Sequence, residues 1–313
     1  DLSLFNNRLR MTADYYRKKT TDLLNNVEMP RSSGYTTALR NIGSIRNSGF
    51  ELQLDGRIID RAVKWDLGVN FSLNRSKVLV LSEDKDIFGG ELDNTILKDQ
   101  LNLMRVGEPM YVFYGYVEDG YDENGHIVYK NMDDDPAITA ADKTIIGDPN
   151  PDFLVNLTTA VSYKGFTLSA FFQSSIGNDI YSLSMAAQAY DYGYNGNTLR
   201  EVYYNHWTPE NPTAKYPNLD QTSYKMSDRF VYDGSFVRLK NLELAYDVPC
   251  ARSKFIKRAR VYVSAQNLFT ITSYPFWDPD INANGGGSSM IQGVDSYCYP
   301  SARTYTIGCR LTF

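Results

Sequence analysis

No stretch of this chain is a run of 18 or more apolar residues, and that absence excludes a transmembrane helix. Histidine is nearly missing, with only His126 and His206, both in polar segments without a nucleophile motif around them. Little remains for acid–base catalysis, and no pair of carboxylates is marked as a buried acid and base. The three cysteines, Cys250, Cys298 and Cys309, are odd in number and lack the close spacing of a metal site. They read as free thiols or at most one bridge. The net charge of −5 comes without a basic patch of the kind nucleic acid requires, so no nucleic-acid partner is expected. The glycines at 285–287 lack the Lys and Ser/Thr of a phosphate loop. An enzyme is not expected. No signal peptide precedes Asp1, and the chain opens in a strand-like segment, which reads as a mature piece or the second part of something larger.

What the chain does have is alternation. In the last eleven residues, RTYTIGCRLTF, Tyr305, Ile307, Cys309, Leu311 and Phe313 alternate with Thr304, Thr306, Gly308, Arg310 and Thr312. A period of two gives a strand one apolar and one polar face. The same pattern places Leu9, Met11, Ala13 and Tyr15 against Arg8, Arg10, Thr12 and Asp14, and Phe50, Leu52 and Leu54 against Glu51, Gln53 and Asp55. It recurs at Trp65 to Asn74, at Phe153 to Tyr163, at Phe166 to Ser175, at Leu242 to Asp247 and around Arg260 to Phe269. Asp14, Asp55 and Asp66 fall in mid-strand on the polar face, where a water-filled lumen tolerates charge. Short turns at Asn6-Asn7, Asp60-Arg61-Ala62 and Lys164-Gly165 alternate with long connections at 30–43, 81–151, 177–234 and 272–302, the last with a Gly/Ser tract at 282–289. Short turns on one side and long loops on the other are the asymmetry of an outer-membrane barrel. The expected fold is all-β, an antiparallel transmembrane β-barrel segment of about ten strands with long extracellular loops. Tyrosine (24) and phenylalanine (15) supply interfacial girdles and loop aromatics.

Several ordered motifs then carry a resemblance: LFNNRL at 4–9, DYYRKKTTDLL at 14–24, NIGSIRNSGFEL at 41–52, GDPNPDF at 147–153, YKGF at 163–166, GNDIY at 177–181, SFVRLKNL at 235–242 and AQNLF at 265–269. Together they resemble the C-terminal barrel half of the SusC/RagA-like family of TonB-dependent outer-membrane transporters, over essentially the whole chain. The resemblance implies about ten strands of a larger barrel of about 22. It assigns residues 1–313 to the C-terminal part of that barrel, with no plug domain in this chain. The partners it implies are the remaining N-terminal strands and plug, a SusD-like surface lipoprotein acting as a lid, and TonB through the plug-bearing part. The cargo it implies is a glycan oligomer, with peptide import as the alternative. A free-standing outer-membrane binding or adhesin barrel, and a secreted carbohydrate-active β-protein, are the rival readings.

Two sets of residues are candidate sites. Asn131, Asp133, Asp135, the carbonyl of Ala137 and Asp142 stand at positions 1, 3, 5, 7 and 12 of a calcium-loop spacing. Pro136 replaces the glycine expected at position 6, and Asp142 is shorter than the usual glutamate. The segment therefore reads either as a possible Ca2+ loop or as a solvated acidic turn. For ligands, Tyr190, Tyr192 and Tyr194 alternate near Asn195 and Asn197, and Trp207 and Trp277 sit in the two later long loops. Aromatic faces pack on the C–H surfaces of sugars or on peptides, and the same residues serve equally to pack loops together.

Overall fold

The computed structural model describes residues 1–28, 32, 34–35, 37–81, 85–93, 97–190, 197–250, 255–281 and 291–313. Nine strands form one sheet in sequence order: β1 (Leu2–Leu4), β2 (Leu9–Glu28), β3 (Thr37–Asp60), β4 (Val63–Leu81), β5 (Phe153–Tyr163), β6 (Phe166–Ile176), β7 (Phe236–Val248), β8 (Arg258–Thr272) and β9 (Thr304–Thr312). Every neighbouring pair is antiparallel. Among the described residues β1 and β9 each pair on one side only, so the sheet is an open segment of barrel wall. Among the described residues the sheet has nine strands, where about ten were expected.

Register explains the alternation. Trp65, Val161, Leu168, Leu244, Val263 and Ile307 lie side by side on consecutive strands. The next residues on the other face, Asp66, Ala160, Ser169, Glu243, Ser264 and Thr306, form a row that is polar at every strand but the one carrying Ala160. Ile307 is 86% exposed and Leu168 48%, which is costly in water and suited to lipid. On β4 the outward residues run from Val63 to Leu73. Ten residue-to-residue steps at about 3.4 Å each, tilted by about 40°, give a band about 26 Å tall, close to the apolar height of a bilayer-spanning barrel. Cys309 belongs to the outward set, and Cys250, Cys298 and Cys309 are all free thiols.

The strands turn tightly at one end. Phe5, Asn6 and Asn7 all take positive φ, and Lys164-Gly165 (φ 45° and 87°) makes a two-residue hairpin turn whose twist matches the flanking strands. The other end carries the long connections, and these are not open loops. They contain short strands such as Asn102–Met104, Val112–Gly115 and Thr144–Gly147, and two helices, α1 (Leu183–Tyr190) and α2 (Arg200–Tyr204). The chain's largest apolar core lies here, with Phe113, Tyr181, Ala186, Tyr216, Met226 and Phe230 almost fully buried. The wall gives most of its apolar side chains to lipid, so the main core forms where the connections bury theirs against one another.

Candidate functional site

The mouth of the wall is organised by one buried cation. Arg238 lies on the polar, inner face of β7, flanked by Gln173 on β6 and Thr270 on β8. Its guanidinium donates to Thr270 Oγ1 at 2.8 Å, to Ser301 Oγ at 3.2 Å and to Asp280 Oδ2 at 3.3 Å, and it forms an ion pair with Asp278. Arg238 is 1% exposed. Burial alone raises the Asp278 carboxyl, but the N–H groups of Ser301 and Asp280 and the Arg238 guanidinium outweigh it and hold Asp278 below the usual carboxylate range. The connection after β8 is thereby folded back over the inner face. The strands beside Arg238 are irregular: register shifts between Leu239 and Asn241, and Asn267 takes φ 51° while its side chain reaches the Ala302 carbonyl at 2.9 Å. A bulge of this kind re-aims side chains at a barrel rim.

Two clefts flank this tie. One of about 500 Å³ is lined by Arg238, Asn267, Thr270, Trp277, Asp278 and Arg303. The other, about 290 Å³, includes Asn156, Gln173, Asn178 and Asp280. Beneath them runs a band of neutral hydrogen-bonding groups, Thr12, Gln53, Asn70, Asn156 and Gln173, aligned across five strands and continuing into Arg238 and Thr270. The Asn156 amide oxygen is buried and has no hydrogen-bond partner among the described residues. Such an arrangement offers donors and acceptors to a neutral polar chain without fixing a charge.

The aromatic candidates divide. Trp277 is 57% exposed, stacks on Phe276 at 4.8 Å and borders the larger cleft, so it can present a face to a ligand. Trp207 is half-buried and lies against the backbone of Gly125, where a Cβ would meet its ring at 2.2 Å. Tyr190, one of the candidate ligand-binding aromatics, is placed as a loop-packing residue instead. It closes helix α1, is 4% exposed, stacks on Tyr224 at 3.7 Å and meets Phe230 edge-on, so it is core of the loop lobe. Burial pushes its hydroxyl well above the usual range. Tyr192 and Tyr194 lie outside the described residues. An ion pair between Arg229 and Glu118, with Arg229 also donating to Tyr121 at 3.1 Å, joins two halves of the same lobe.

The acidic segment folds as a run of turns closed on itself. Asn131, Asp133 and Asp135 each accept the N–H two residues on, at 3.1, 2.9 and 3.0 Å. Asp142, fully buried, accepts from Met132 at 2.7 Å with one oxygen and from Thr139 at 2.7 Å with the other. Those two N–H groups hold its carboxyl below the usual range. Among the described residues no group of three acidic, histidine or cysteine side chains gathers as a cation would need. Both oxygens of Asp142, which the calcium spacing would make the twelfth-position ligand, are taken by backbone N–H groups in this conformation.

Sequence reasoning missed Arg238, Asn156, Gln173 and Asp278 as a unit. The one available signal was an arginine on the polar phase of the strand pattern in FVRLKN, where Val237 and Leu239 take the apolar phase.

Comparison with known proteins follows from this geometry. The family described as "TonB dependent receptor-like, beta-barrel" matches residues 2–268. TonB-dependent receptor P3 of Formosa agariphila is 33% identical over the whole of this chain, which covers 33% of that protein. TonB-dependent receptor SusC of Bacteroides thetaiotaomicron is 29% identical, again over the whole chain and 31% of its own length. The solved RagAB peptide transporter matches with a TM-score of 0.82 at 28% identity, over 99% of this chain and 34% of that one. The chain thus spans about a third of the length of the relatives it matches.

Proposed function

Because the chain belongs to the TonB-dependent receptor β-barrel family, as a SusC/RagA-like segment in the outer membrane, we propose that it builds part of the wall and mouth of an active nutrient importer. In this reading the rest of the protein supplies the remaining strands and the plug. TonB acts through that plug, and a SusD-like lipoprotein closes over the loop lobe. The cargo is a glycan oligomer. The observation that carries the choice is the amide band of Gln53, Asn70, Asn156 and Gln173 below a cleft edged by Trp277, a row of neutral donors and acceptors with an aromatic platform. A second reading, peptide cargo, is favoured by the likeness to the RagAB peptide transporter.

The test uses the intact transporter. Isothermal titration with a glycan oligomer series and a peptide series of matched length should give heat with the glycans. Trp277→Ala and the pair Asn156→Ala, Gln173→Ala should weaken that binding. Uptake by whole cells should stop on adding a protonophore, because TonB draws on the proton gradient. Heat with peptides alone moves the assignment to the second reading. Uptake indifferent to the protonophore overturns the importer.

A further inference from the structure

We infer that the outer face of β2, β3 and β4 binds the phosphate-bearing headgroup of an outer-leaflet lipid. Register carries the argument. Lys19 lies opposite Arg46, and Arg46 opposite Lys77, so three cations stand side by side on consecutive strands. One row nearer the apolar band come Arg17, Ser48 and Arg75. Directly opposed side chains in an antiparallel sheet are about 5 Å apart, and like charges there repel. Arg75 is neutralised by Asp152 at 2.6 Å. Arg17, Lys19, Arg46 and Lys77 make no ion pair among the described residues. The nearby acids Asp14 and Glu51 belong to the inner row with Ser72. An anion brought to this row relieves a repulsion that the fold alone leaves in place.

The face is fixed by what covers its opposite. Ile45 and Val78 are buried beneath Leu81 and Met104, and Ser76 Oγ accepts the Met110 N–H at 3.2 Å, so the connections fold over the inner side here. Alternation puts Arg46 and Lys77 outside. The height is fixed as well. Below the cations on the same face lie Tyr15, Phe50 and Leu73, then Ala13, Leu52 and Phe71, the upper rows of the lipid-facing band. The tight turns at 5–8 and Arg61-Ala62 close the other end of these strands. The cations therefore sit where apolar wall gives way to the outer interface. A guanidinium grips a phosphate through two parallel N–H bonds and the ammonium groups add point charge. The acyl chains of the same lipid lie along Tyr15 and Phe50. That continuity selects a lipid headgroup over free phosphate.

The experiment is native mass spectrometry of the intact, detergent-purified protein titrated with diphosphorylated lipid A and with its dephosphorylated form. The wild type should retain the phosphorylated lipid at least about tenfold better, the preference that a cluster of basic residues at a membrane surface confers. The triple variant Lys19→Gln, Arg46→Gln, Lys77→Gln should lose that preference. Inorganic phosphate at equal concentration should not displace the lipid. Equal retention of both lipids by the wild type, an undiminished preference in the variant, or displacement by inorganic phosphate each overturns the assignment. If the variant does not fold, judged by loss of heat-modifiable gel mobility, the two-lipid comparison on the wild type decides.

Discussion

Methionine in place of Arg238 keeps most of the side-chain volume and removes the charge that the buried Asp278 faces. Asp278 would retain only the N–H groups of Asp280 and Ser301, each at 2.9 Å. Its own exposure is 7%, so water replaces the lost partner poorly. Removing one member of a buried pair costs about 3–5 kcal/mol, because the remaining charge is left uncompensated. The wall strands are held by backbone bonds that do not involve this side chain, so the cost should fall on the connection after β8. Hydrogen exchange of the Asp280 and Ser301 amides reads it directly, since both donate to Asp278. Their protection should fall by roughly two to three and a half orders of magnitude, at about 1.4 kcal/mol per tenfold. Arg238→Met combined with Asp278→Leu removes both charges and should restore protection at Tyr274, whose N–H reaches Thr272 Oγ1 at 3.1 Å. Apolar replacement of a whole buried pair is often neutral or stabilising. A change below about tenfold in the single variant, or a double variant no better than the single, would refute the reading of this ion pair as the tie that holds the mouth.

Three further outcomes are expected. Tyr190→Ala should cost the loop lobe about 3–5 kcal/mol, the range for truncating a buried aromatic, and leave the barrel's heat-modifiable gel mobility intact; an unchanged lobe in hydrogen exchange would show that the Tyr224 stack contributes nothing. Gly125→Ala should destabilise the hairpin at 118–129 by about 1–3 kcal/mol, because φ is +79° and the new methyl meets Trp207; exchange at the Asn218 amide, which donates to the Gly125 carbonyl at 2.9 Å, is the check. At Asp142 the carboxyl is held below its ordinary 3.8, so its contribution is present above that value and is lost as pH falls through the lowered one. Exchange protection of Met132 and Thr139 should follow that course, and calorimetric titration with millimolar calcium should give no heat. Clear calcium heat would mean that the turn reopens around an ion.

The wall was legible because its two faces meet different solvents, and a period of two runs along the long strands except where bulges shift the register. The strand count came within one of the observed nine because the tight turns carry Asn, Gly and Lys-Gly signals. The mouth was less legible for a physical reason. Asn156, Gln173, Arg238 and Asp278 come together only through register and a folded-back connection, and neither is written in a local pattern. Alternation with Tyr192 and Tyr194 left Tyr190 open as either a ligand-facing or a loop-packing aromatic. The uncharged run Leu183–Tyr190 was the better signal: with Leu183, Met185 and three alanines among its eight residues it favoured burial, and the helix provides it. The basic row was hidden in the same way, since Lys19, Arg46 and Lys77 are far apart until β2, β3 and β4 align.

Two solvents also explain why the largest core sits in the connections. A strand that gives its apolar face to lipid contributes little to an interior, so the wall depends on its ladder and can keep its shape whatever the connections bury. The lobe above it can then vary in sequence without disturbing the span. The junction shows how the two are joined. Arg238 reaches Asp278 and Asp280, the Asn102 amide reaches the Gln292 carbonyl at 3.0 Å, and Ser76 accepts from Met110 at 3.2 Å. These are directional ties of about 1 kcal/mol each, more for the charged one, and they are specific about position while each is individually breakable. A purely apolar seam would be stronger but would slide. The Trp277 cleft is therefore lined by Arg238 and Asp278, the groups that already hold the connection to the wall.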